Sequence, residues 1–274
     1  MDRFDIQTHV IADAAGSIYS QLYIPKAAGA ARRCPLVIYS HGMMSNHSAG
    51  DAYARAFADK GYAVCCFDFR GGNRSLSDGE PLAMTPFTEV DDLNAVYNDL
   101  VTLDFVDANN VFLMGASLGG LVTALVAGKR PNLFKGIVLL YPALSLPQDI
   151  AAAYPDPMAM PATAELSVRV GRAFLESLYG FDPYGVITGY TGPVLILHGT
   201  QDSSVPSSYS VKATRAYRRA HLELISGAGH GFSGGAVKFA TRVIVEFLDE
   251  ESDLADESGL DGDLNFGGTS GMGL

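Results

Sequence analysis

Val111-Phe-Leu-Met-Gly-Ala-Ser117-Leu-Gly-Gly120 is the stretch from which the architecture of this chain can be predicted. Residues 111–114 form an apolar run that predicts a buried strand, and residues 118–129 predict a helix. Between them, Gly115-Ala-Ser-Leu-Gly119 fits G-x-S-x-G, which in the order strand, turn, helix exposes the serine hydroxyl above the sheet. Backbone N–H groups at the helix start then favour developing negative charge. The alternative is a Gly/Ser loop that merely opens a helix, and the rest of the chain has to decide.

Seven further segments are predicted as strands from short apolar runs or from alternating apolar and polar residues. They are residues 4–11, 17–25, 35–40, 62–69, 135–141, 193–198 and 221–225. The first two are expected to form an antiparallel hairpin, and continuous apolar runs in the others are typical of strands buried on both faces. Predicted helices lie at 51–60, 87–103, 118–129, 207–219 and 234–248. This alternation predicts an α/β protein with a mostly parallel eight-stranded sheet and helices on both faces.

Residues 142–190 interrupt the alternation, with several prolines, many aromatic or methionine side chains and one predicted helix at 164–178. We expect them to form a cap insertion over the mouth of the site, because sites in such sheets lie at the carboxyl ends of the strands. Residues 1–248 then form one domain. Residues 249–274 are acidic and then glycine-rich, with little to bury, which predicts a disordered tail.

The charge of the 274-residue chain argues against a nucleic-acid binder, because the formal net charge is −11. Eight acidic residues follow Leu248 with no basic residue among them, so residues 1–248 carry only −3. No signal-like N-terminus is present, and no apolar run approaches the roughly 18 residues of a membrane helix. We expect a cytoplasmic protein without membrane partners, and a homodimer is left open. Cys34, Cys65 and Cys66 are predicted to be buried, unreactive thiols.

Ser117, Asp202 and His230 each follow a predicted strand, so all three are expected at the same edge of the sheet. Their chemistry is complementary. A serine hydroxyl needs a base in contact, an imidazole can take and return that proton, and a carboxylate fixes the imidazole tautomer. Asp68 and Asp182 are weaker candidates for the acid, because Asp68 faces a different loop and Asp182 lies in the insertion. The trio predicts covalent catalysis through Ser117.

The intermediate of such a reaction carries an oxyanion, which needs two N–H donors aimed at one point. The N–H of Leu118, directly after the serine, is predicted as one donor, and the N–H of Met43 as the other. Met43 follows His41-Gly42 at the end of a predicted strand, where glycine lets the backbone approach closely. His41 and His47 are alternatively a metal-binding pair, but no cysteine or carboxylate cluster accompanies them. No metal or cofactor is therefore predicted.

These segments resemble the motifs of the α/β-hydrolase superfamily. The motifs are His41-Gly42, Asp68-Phe-Arg-Gly71 with Ser75, Gly115-Ala-Ser-Leu-Gly119, His198-Gly-Thr-Gln-Asp202 and Gly229-His230. They are most similar to those of small feruloyl and cinnamoyl esterases and of their dienelactone-hydrolase and prolyl-oligopeptidase-type relatives. The order Ser, Asp, His along the chain is also the order in that superfamily. The resemblance extends over residues 4–248 and implies the α/β-hydrolase fold.

The resemblance also implies roles for individual residues. Ser117, Asp202 and His230 take the triad roles, the N–H groups of Met43 and Leu118 form the oxyanion hole, and the insertion forms an aromatic-acid pocket. The residues expected to contact the substrate are His41, Gly42, Tyr141, Phe174, Tyr179 and Phe232. For Tyr141, Phe174 and Tyr179 the alternative is that they only pack the insertion on the domain.

The predicted function is a serine carboxylic-ester hydrolase that acts on small or aromatic acyl esters through an acyl-enzyme on Ser117. A serine peptidase of the prolyl-oligopeptidase type is the first alternative, and a non-enzymatic binding protein on the same fold is the second. The presence of all three triad residues favours an enzyme. Comparing hydrolysis of esters with that of a peptide anilide distinguishes the two enzymes.

Overall fold

A computed structural model describes residues 3–72 and 74–252. The strands within these residues are β1 (Phe4–Asp13), β2 (Gly16–Pro25), β3 (Cys34–Ser40), β4 (Ala63–Phe67), β5 (Val106–Ala116), β6 (Gly136–Leu140), β7 (Thr163–Glu165), β8 (Arg169–Gly171), β9 (Pro193–Gly199) and β10 (Arg219–Ile225). Eight of them form one sheet in the order β1-β2-β4-β3-β5-β6-β9-β10. β2 pairs antiparallel with β1 and with β4, whereas all pairs from β4 to β10 are parallel. The predicted mostly parallel eight-stranded sheet is confirmed.

The helices of the described residues follow the predicted alternation outside the insertion. They are α1 (Asp51–Asp59), α2 (Pro86–Leu100), α3 (Leu118–Lys129), α4 (Leu146–Ala153), α5 (Arg172–Leu178), α6 (Pro183–Ile187), α7 (Ser208–Ala216) and α8 (Gly235–Glu251). Short 3-10 turns span His47–Gly50, Pro81–Ala83 and Pro157–Ala159. None of the helices in the described ranges is long and apolar enough to cross a membrane.

Two apolar layers cover the two faces of the sheet. Neighbouring residues of a strand point to opposite faces, so Leu36 of β3 packs in one layer and Val37 in the other. The layer of Leu36 contains the buried faces of α2 and α3, and the layer of Val37 contains those of α1 and α8. This is why β3 is buried at every position and its sequence is a continuous apolar run. Cys34, Cys65 and Cys66 are free and buried, as predicted.

The first half of the helix predicted at 164–178 is wrong. Residues 163–171 form the antiparallel hairpin of β7 and β8, and only the last seven residues are helical, as α5. Burial alternates along β7, where Ala164 is buried and both of its neighbours are not. The α-carbon of Gly171 lies against the carbonyl oxygen of Leu82, a contact that no side chain would permit. This long-range contact is invisible in the local pattern that suggested a helix.

The elements between β6 and β9 are tied into the core. Phe174 and Leu178 of α5 and Ile187 of α6 are fully buried in the same apolar layer as α2 and α3. At the other end of the chain, α8 continues three residues beyond the predicted boundary at Leu248 and ends at Glu251. The beginning of the predicted tail is therefore helical, and residues 253–274 lie outside the described residues.

Candidate active site

Ser117 occupies the sharp turn between β5 and α3 with a left-handed backbone, at φ 53° and ψ −117°. Such a conformation in a residue other than glycine costs about 1–3 kcal/mol and persists only where the surroundings enforce it. Here the Ser117 N–H donates to the carbonyl oxygen of Leu140 at 2.9 Å. The Ser117 carbonyl oxygen accepts from the N–H groups of Leu121 at 3.1 Å and Ala143 at 2.9 Å. These bonds hold the turn in place and aim the hydroxyl away from the sheet.

The two glycines of the G-x-S-x-G pattern mark places where backbones touch. A Cβ on Gly115 would collide with the carbonyl oxygen of Gly119. A Cβ on Gly119 would collide with the carbonyl oxygens of Ser40 and His41. Both positions therefore require glycine for packing, which explains the pattern physically.

His230 connects Ser117 to Asp202. Its Nε2 lies 2.9 Å from the Ser117 Oγ, although 113 residues separate the two in sequence, and its Nδ1 lies 2.8 Å from the Asp202 Oδ2. Because the carboxylate accepts the Nδ1 proton, the lone pair of Nε2 faces the serine hydroxyl, which donates to it. The His230 side chain is 26 % exposed and that of Asp202 is fully buried. The structure thus brings the three predicted residues into one hydrogen-bonded chain that is open to solvent at its serine end.

The Asp202 carboxylate has a full set of donors. Its Oδ1 accepts from the N–H groups of Ser204 at 2.9 Å and Val205 at 2.8 Å, both in the loop after β9. Its Oδ2 accepts from His230 and also lies 3.1 Å from the Nε2 of His198, a fully buried residue of β9. These hydrogen bonds fix the orientation of the buried carboxylate.

The two other acids considered from the sequence lie elsewhere. Asp68 accepts from the N–H of His47 at 2.6 Å, from its Nδ1 at 2.8 Å and from the N–H of Leu76 at 2.9 Å. Asp182 caps the start of α6 by accepting from the N–H of Tyr184 at 3.0 Å. Both carboxylates organise their own loops.

The loop after β3 runs beside the turn at Ser117 between β5 and α3, which we call the elbow. A Cβ on Gly42 would lie 3.2 Å from the Ser117 Cβ, so the turn that contains Met43 is adjacent to the serine. His41 holds this turn through two hydrogen bonds. Its Nδ1 donates to the Gly42 carbonyl oxygen at 2.8 Å, and its Nε2 accepts from the Phe69 N–H at 3.2 Å. Burial lowers the pKa of His41, which keeps this neutral form. Both ring nitrogens of His41 are therefore engaged within the protein, and the residue positions the loop instead of contacting substrate.

The aromatic residues expected at the pocket divide into two groups. The ring of Tyr141 lies edge-on to His230 at 4.9 Å and to Phe232 at 4.8 Å, so both aromatic residues are at the site. Tyr141 has a positive φ of 36°, and burial raises its pKa to about 12, so it stays protonated at neutral pH. Phe174 is fully buried in the core, which contradicts its predicted contact with substrate. The Tyr179 hydroxyl donates at 3.2 Å to the carbonyl oxygen of Pro155, inside the insertion.

Metal-ligand geometry is absent from the described ranges, in which no group of three or more His, Cys, Asp or Glu side chains could hold an ion. The pair considered from the sequence, His41 and His47, is engaged instead with the Gly42 carbonyl and with Asp68.

Residues 31–180, more than half of the chain, match the Hydrolase_4 family, described as serine aminopeptidase, S33. The chain belongs to this family. With the eight-stranded sheet and the strand–turn–helix at Ser117, the match confirms the predicted α/β-hydrolase superfamily and its fold.

Solved structures and curated proteins similar to this S33 hydrolase extend the comparison. Est1E from Butyrivibrio proteoclasticus, in a structure with bound ferulic acid, has a TM-score of 0.81 and 25% identity, covering 89% of this chain and 98% of that chain. The uncharacterized protein YcjY of Escherichia coli (strain K12) is 30% identical over 114 residues, which are 40% of this chain and 36% of YcjY. Monoglyceride lipase of Mus musculus is 30% identical over 107 residues, 39% of this chain and 34% of the lipase. The chain thus spans about a third of the length of these curated relatives.

Sequence reasoning about this S33 hydrolase missed one residue of the site, His198. The sequence predicts it as the last residue of a strand and indicates no role for its side chain. The spacing His198-x-x-x-Asp202 at a strand end is a signal that could have found it, since a chain that turns directly after a strand brings these two side chains together.

Proposed function

We propose that this α/β-hydrolase is a serine carboxylic-ester hydrolase in which Ser117 is the nucleophile, His230 the base and Asp202 the residue that orients it. The observation that supports this assignment is the chain of hydrogen bonds from Ser117 Oγ to His230 Nε2 at 2.9 Å and from His230 Nδ1 to Asp202 Oδ2 at 2.8 Å. A base in contact with the hydroxyl and a carboxylate behind the base are what nucleophilic catalysis by serine requires.

The reaction proceeds in two halves. Ser117 Oγ attacks the ester carbonyl carbon while its proton passes to His230 Nε2, and the tetrahedral intermediate collapses as His230 returns that proton to the leaving alcohol. In the second half, His230 takes a proton from water, whose oxygen attacks the acyl carbon. Collapse of this second intermediate releases the acid and restores the Ser117 hydroxyl. Asp202 stabilises the imidazolium that forms in each half.

The developing oxyanion is bound by the N–H groups of Leu118 and Met43. Leu118 is the first residue of α3, so its N–H points out of the helix start together with the positive end of the helix dipole. Met43 follows Gly42, whose backbone lies against Ser117. Stabilisation of the oxyanion by such fixed donors is usually the largest single contribution to lowering the activation barrier.

The substrate is a small or aromatic acyl ester. Tyr141 and Phe232 pack on one another beside His230 and supply apolar, aromatic surface next to the reacting atoms. Est1E, similar over nearly all of this chain, binds ferulic acid, an aromatic acid, in its solved structure. Monoglyceride lipase, similar over 39% of this chain, by its name acts on another carboxylic ester.

A serine peptidase is the second candidate, because the family that matches the chain is described as a serine aminopeptidase. The test is a hydrolysis panel of methyl ferulate, p-nitrophenyl acetate, a monoacylglycerol and a peptide p-nitroanilide, each with the wild-type protein and with Ser117→Ala. We expect turnover of the esters by the wild type only and little turnover of the anilide. Faster cleavage of the anilide than of every ester would assign the peptidase, and ester turnover by Ser117→Ala would refute the nucleophile.

A further inference from the structure

The Asp202 carboxylate is shared by two imidazoles. Its Oδ2 lies 2.8 Å from Nδ1 of His230 and 3.1 Å from Nε2 of His198. His198 is fully buried, whereas the side chain of His230 is 26 % exposed. The trio of serine, histidine and aspartate is complete without His198, and its presence on the carboxylate needs an explanation of its own.

The surroundings of His198 fix its protonation. Its Nε2 lies between two acceptors, the Asp202 Oδ2 and the Val205 carbonyl oxygen at 2.9 Å, so this nitrogen must carry a proton. Its Nδ1 lies 2.7 Å from the Ser210 Oγ, which donates to it. Burial lowers the pKa of His198, which keeps the ring neutral. The side chain is therefore held as a neutral donor aimed at Asp202.

The carboxylate does not depend on His198 for its orientation. Two backbone N–H groups, those of Ser204 and Val205, already hold the Oδ1. What His198 changes is the Oδ2, where its N–H competes with the N–H of His230 for the same negative charge. A carboxylate oxygen that accepts a second donor holds the first less strongly.

We propose that His198 is a positioning residue that acts through Asp202: by sharing the Oδ2, it sets how firmly the carboxylate holds the proton of the base His230. This inference rests on the proposed function for the role of His230. The consequence is that His230 releases its proton more readily than it would beside Asp202 alone, so the base is active at lower pH. Ser210 supports this arrangement, because its hydroxyl occupies the other nitrogen of His198.

The other groups that face this carboxylate are few. Tyr141, directly after β6, is a titratable residue close enough to interact with the charge of Asp202. It stays neutral over the physiological range because burial raises its pKa to about 12. Within residues 3–72 and 74–252, the other groups hydrogen-bonded to the Asp202 carboxylate are His198 from β9, His230 from the loop after β10, and uncharged backbone N–H groups. His198 and His230 also interact directly through charge, but only when both rings are protonated, and burial lowers the pKa of His198 and keeps it neutral. A change in the titration of His230 on altering His198 is therefore carried through Asp202.

The experiment follows the imidazole of His230 by NMR titration in the full chain, alongside the pH dependence of kcat/KM for p-nitrophenyl acetate. His198→Leu removes the donor, and His198→Gln keeps an N–H near the position of Nε2. We expect His198→Leu to raise the proton affinity of His230 about 3- to 10-fold, and to move the acidic limb of the kcat/KM profile to higher pH by the corresponding amount. In the His198→Gln variant, His230 should titrate as in the wild type.

Ser210→Ala provides a second, milder perturbation, which keeps the proposal testable if His198→Leu does not fold. It should shift the His230 titration in the same direction by less. His221→Gln is the matched control, since His221 is a histidine with a 70 % exposed side chain on β10 and should leave the titration unchanged.

Several results would overturn the inference. These are an unchanged or lowered His230 midpoint in His198→Leu, a His198→Gln variant that behaves like His198→Leu, or an unshifted Ser210→Ala. The NMR titration does not require turnover, so it tests the role of His198 separately from the proposed function. Ester hydrolysis by Ser117→Ala would instead refute the proposed function.

Discussion

A methyl group on the α-carbon of Gly42 would lie 3.2 Å from the Cβ of Ser117. This distance is shorter than an ordinary van der Waals contact. The backbone of the loop after β3 therefore packs directly against the side chain of Ser117. The same glycine precedes Met43, the proposed oxyanion donor. The position of one donor relative to the nucleophile is thus set by the absence of a side chain at residue 42.

Gly42→Ala should therefore impair the reaction without unfolding the protein. The added Cβ forces the loop or the elbow to move by a few tenths of an ångström, and an error of that size in an oxyanion site lowers kcat by about 10-fold or more. Steady-state kinetics with p-nitrophenyl acetate measure kcat, and we expect a small change in KM. Gly29→Ala is the control, because a Cβ at Gly29 meets no atom within 4 Å. Equal kcat values in the two variants would contradict the placement of the oxyanion site.

Asp202→Asn should lower kcat far more than its small change in shape suggests. Asparagine has one acceptor oxygen where aspartate has two, so it cannot accept both from His230 and from the loop N–H groups. His230 then loses the partner that fixes its Nδ1–H tautomer, and this loss lowers kcat by about 10⁴-fold where such a pair operates. Asp182→Asn is the matched control, because asparagine also caps a helix and Asp182 accepts from the N–H of Tyr184 at the start of α6. A silent Asp202→Asn variant would assign the acid's role to another residue.

Glu89 gives a pH-dependent contribution to stability. It is buried at 2 % exposure with its Oε2 unpartnered, and burial, together with the charge of Asp92, raises its pKa well above the ordinary value of 4.5. The folded state keeps this proton to higher pH than the unfolded state does. The contribution of Glu89 to stability is therefore fully present below pH 4.5 and is lost as pH rises through the folded pKa.

Glu89→Gln removes that loss. We expect its melting temperature to exceed that of the wild type by more at neutral and alkaline pH than at pH 4, where the gain should be small, as measured by scanning calorimetry. Glu165→Gln serves as control, because the Glu165 side chain is 75 % exposed. A gain for Glu89→Gln that is the same at every pH would exclude titration as its cause.

Arg70 holds the loop after β4 to α2. Its Nε donates to the Asp92 Oδ1 at 2.7 Å and its Nη1 to the Asp13 Oδ1 at 2.6 Å, while the Asp92 side chain is 3 % exposed. Arg70→Leu leaves a buried carboxylate without its cation, and we expect the free energy of unfolding to fall by about 3–5 kcal/mol. Arg242→Leu, which breaks an exposed pair with Glu246, should cost about 0.3–0.5 kcal/mol. Urea unfolding measures both, and similar losses would show that Asp92 does not depend on Arg70.

The parts of this protein that could be predicted from sequence are those with a local cause. The positions of Ser117 and His230 can be predicted because each follows an apolar run that ends in a turn, and parallel strands bring such turns to one edge. The pocket contact predicted for Phe174 is wrong because an aromatic residue packed into the core and one lining a pocket have the same local pattern. The β7–β8 hairpin packs against Leu82 at Gly171, and the proposed role of His198 is supported by Ser210, a residue of another element. Neither relationship can be read from the local pattern.

The end of α8 is hydrogen-bonded to the residue that precedes β4. The Tyr62 hydroxyl, next to β4, donates to the Asp249 Oδ1 at 2.8 Å and lies 3.0 Å from the Ser252 Oγ. Ser252 is itself buried, at 6 % exposure. Truncation after Ser252 keeps these bonds, whereas truncation after Leu248 leaves the buried hydroxyl without either partner, at a cost of about 1–3 kcal/mol.

We therefore expect the chain truncated after Ser252 to melt close to the full-length protein and the chain truncated after Leu248 to melt several degrees lower, both with near wild-type kcat at 25 °C. Tyr62→Phe in the full-length chain separates the cause, because it removes the hydroxyl and leaves α8 intact. If truncation after Leu248 destabilises the Tyr62→Phe protein less than the wild type, the hydroxyl carries the coupling. Equal losses in both backgrounds would attribute the effect to the last turn of α8 alone.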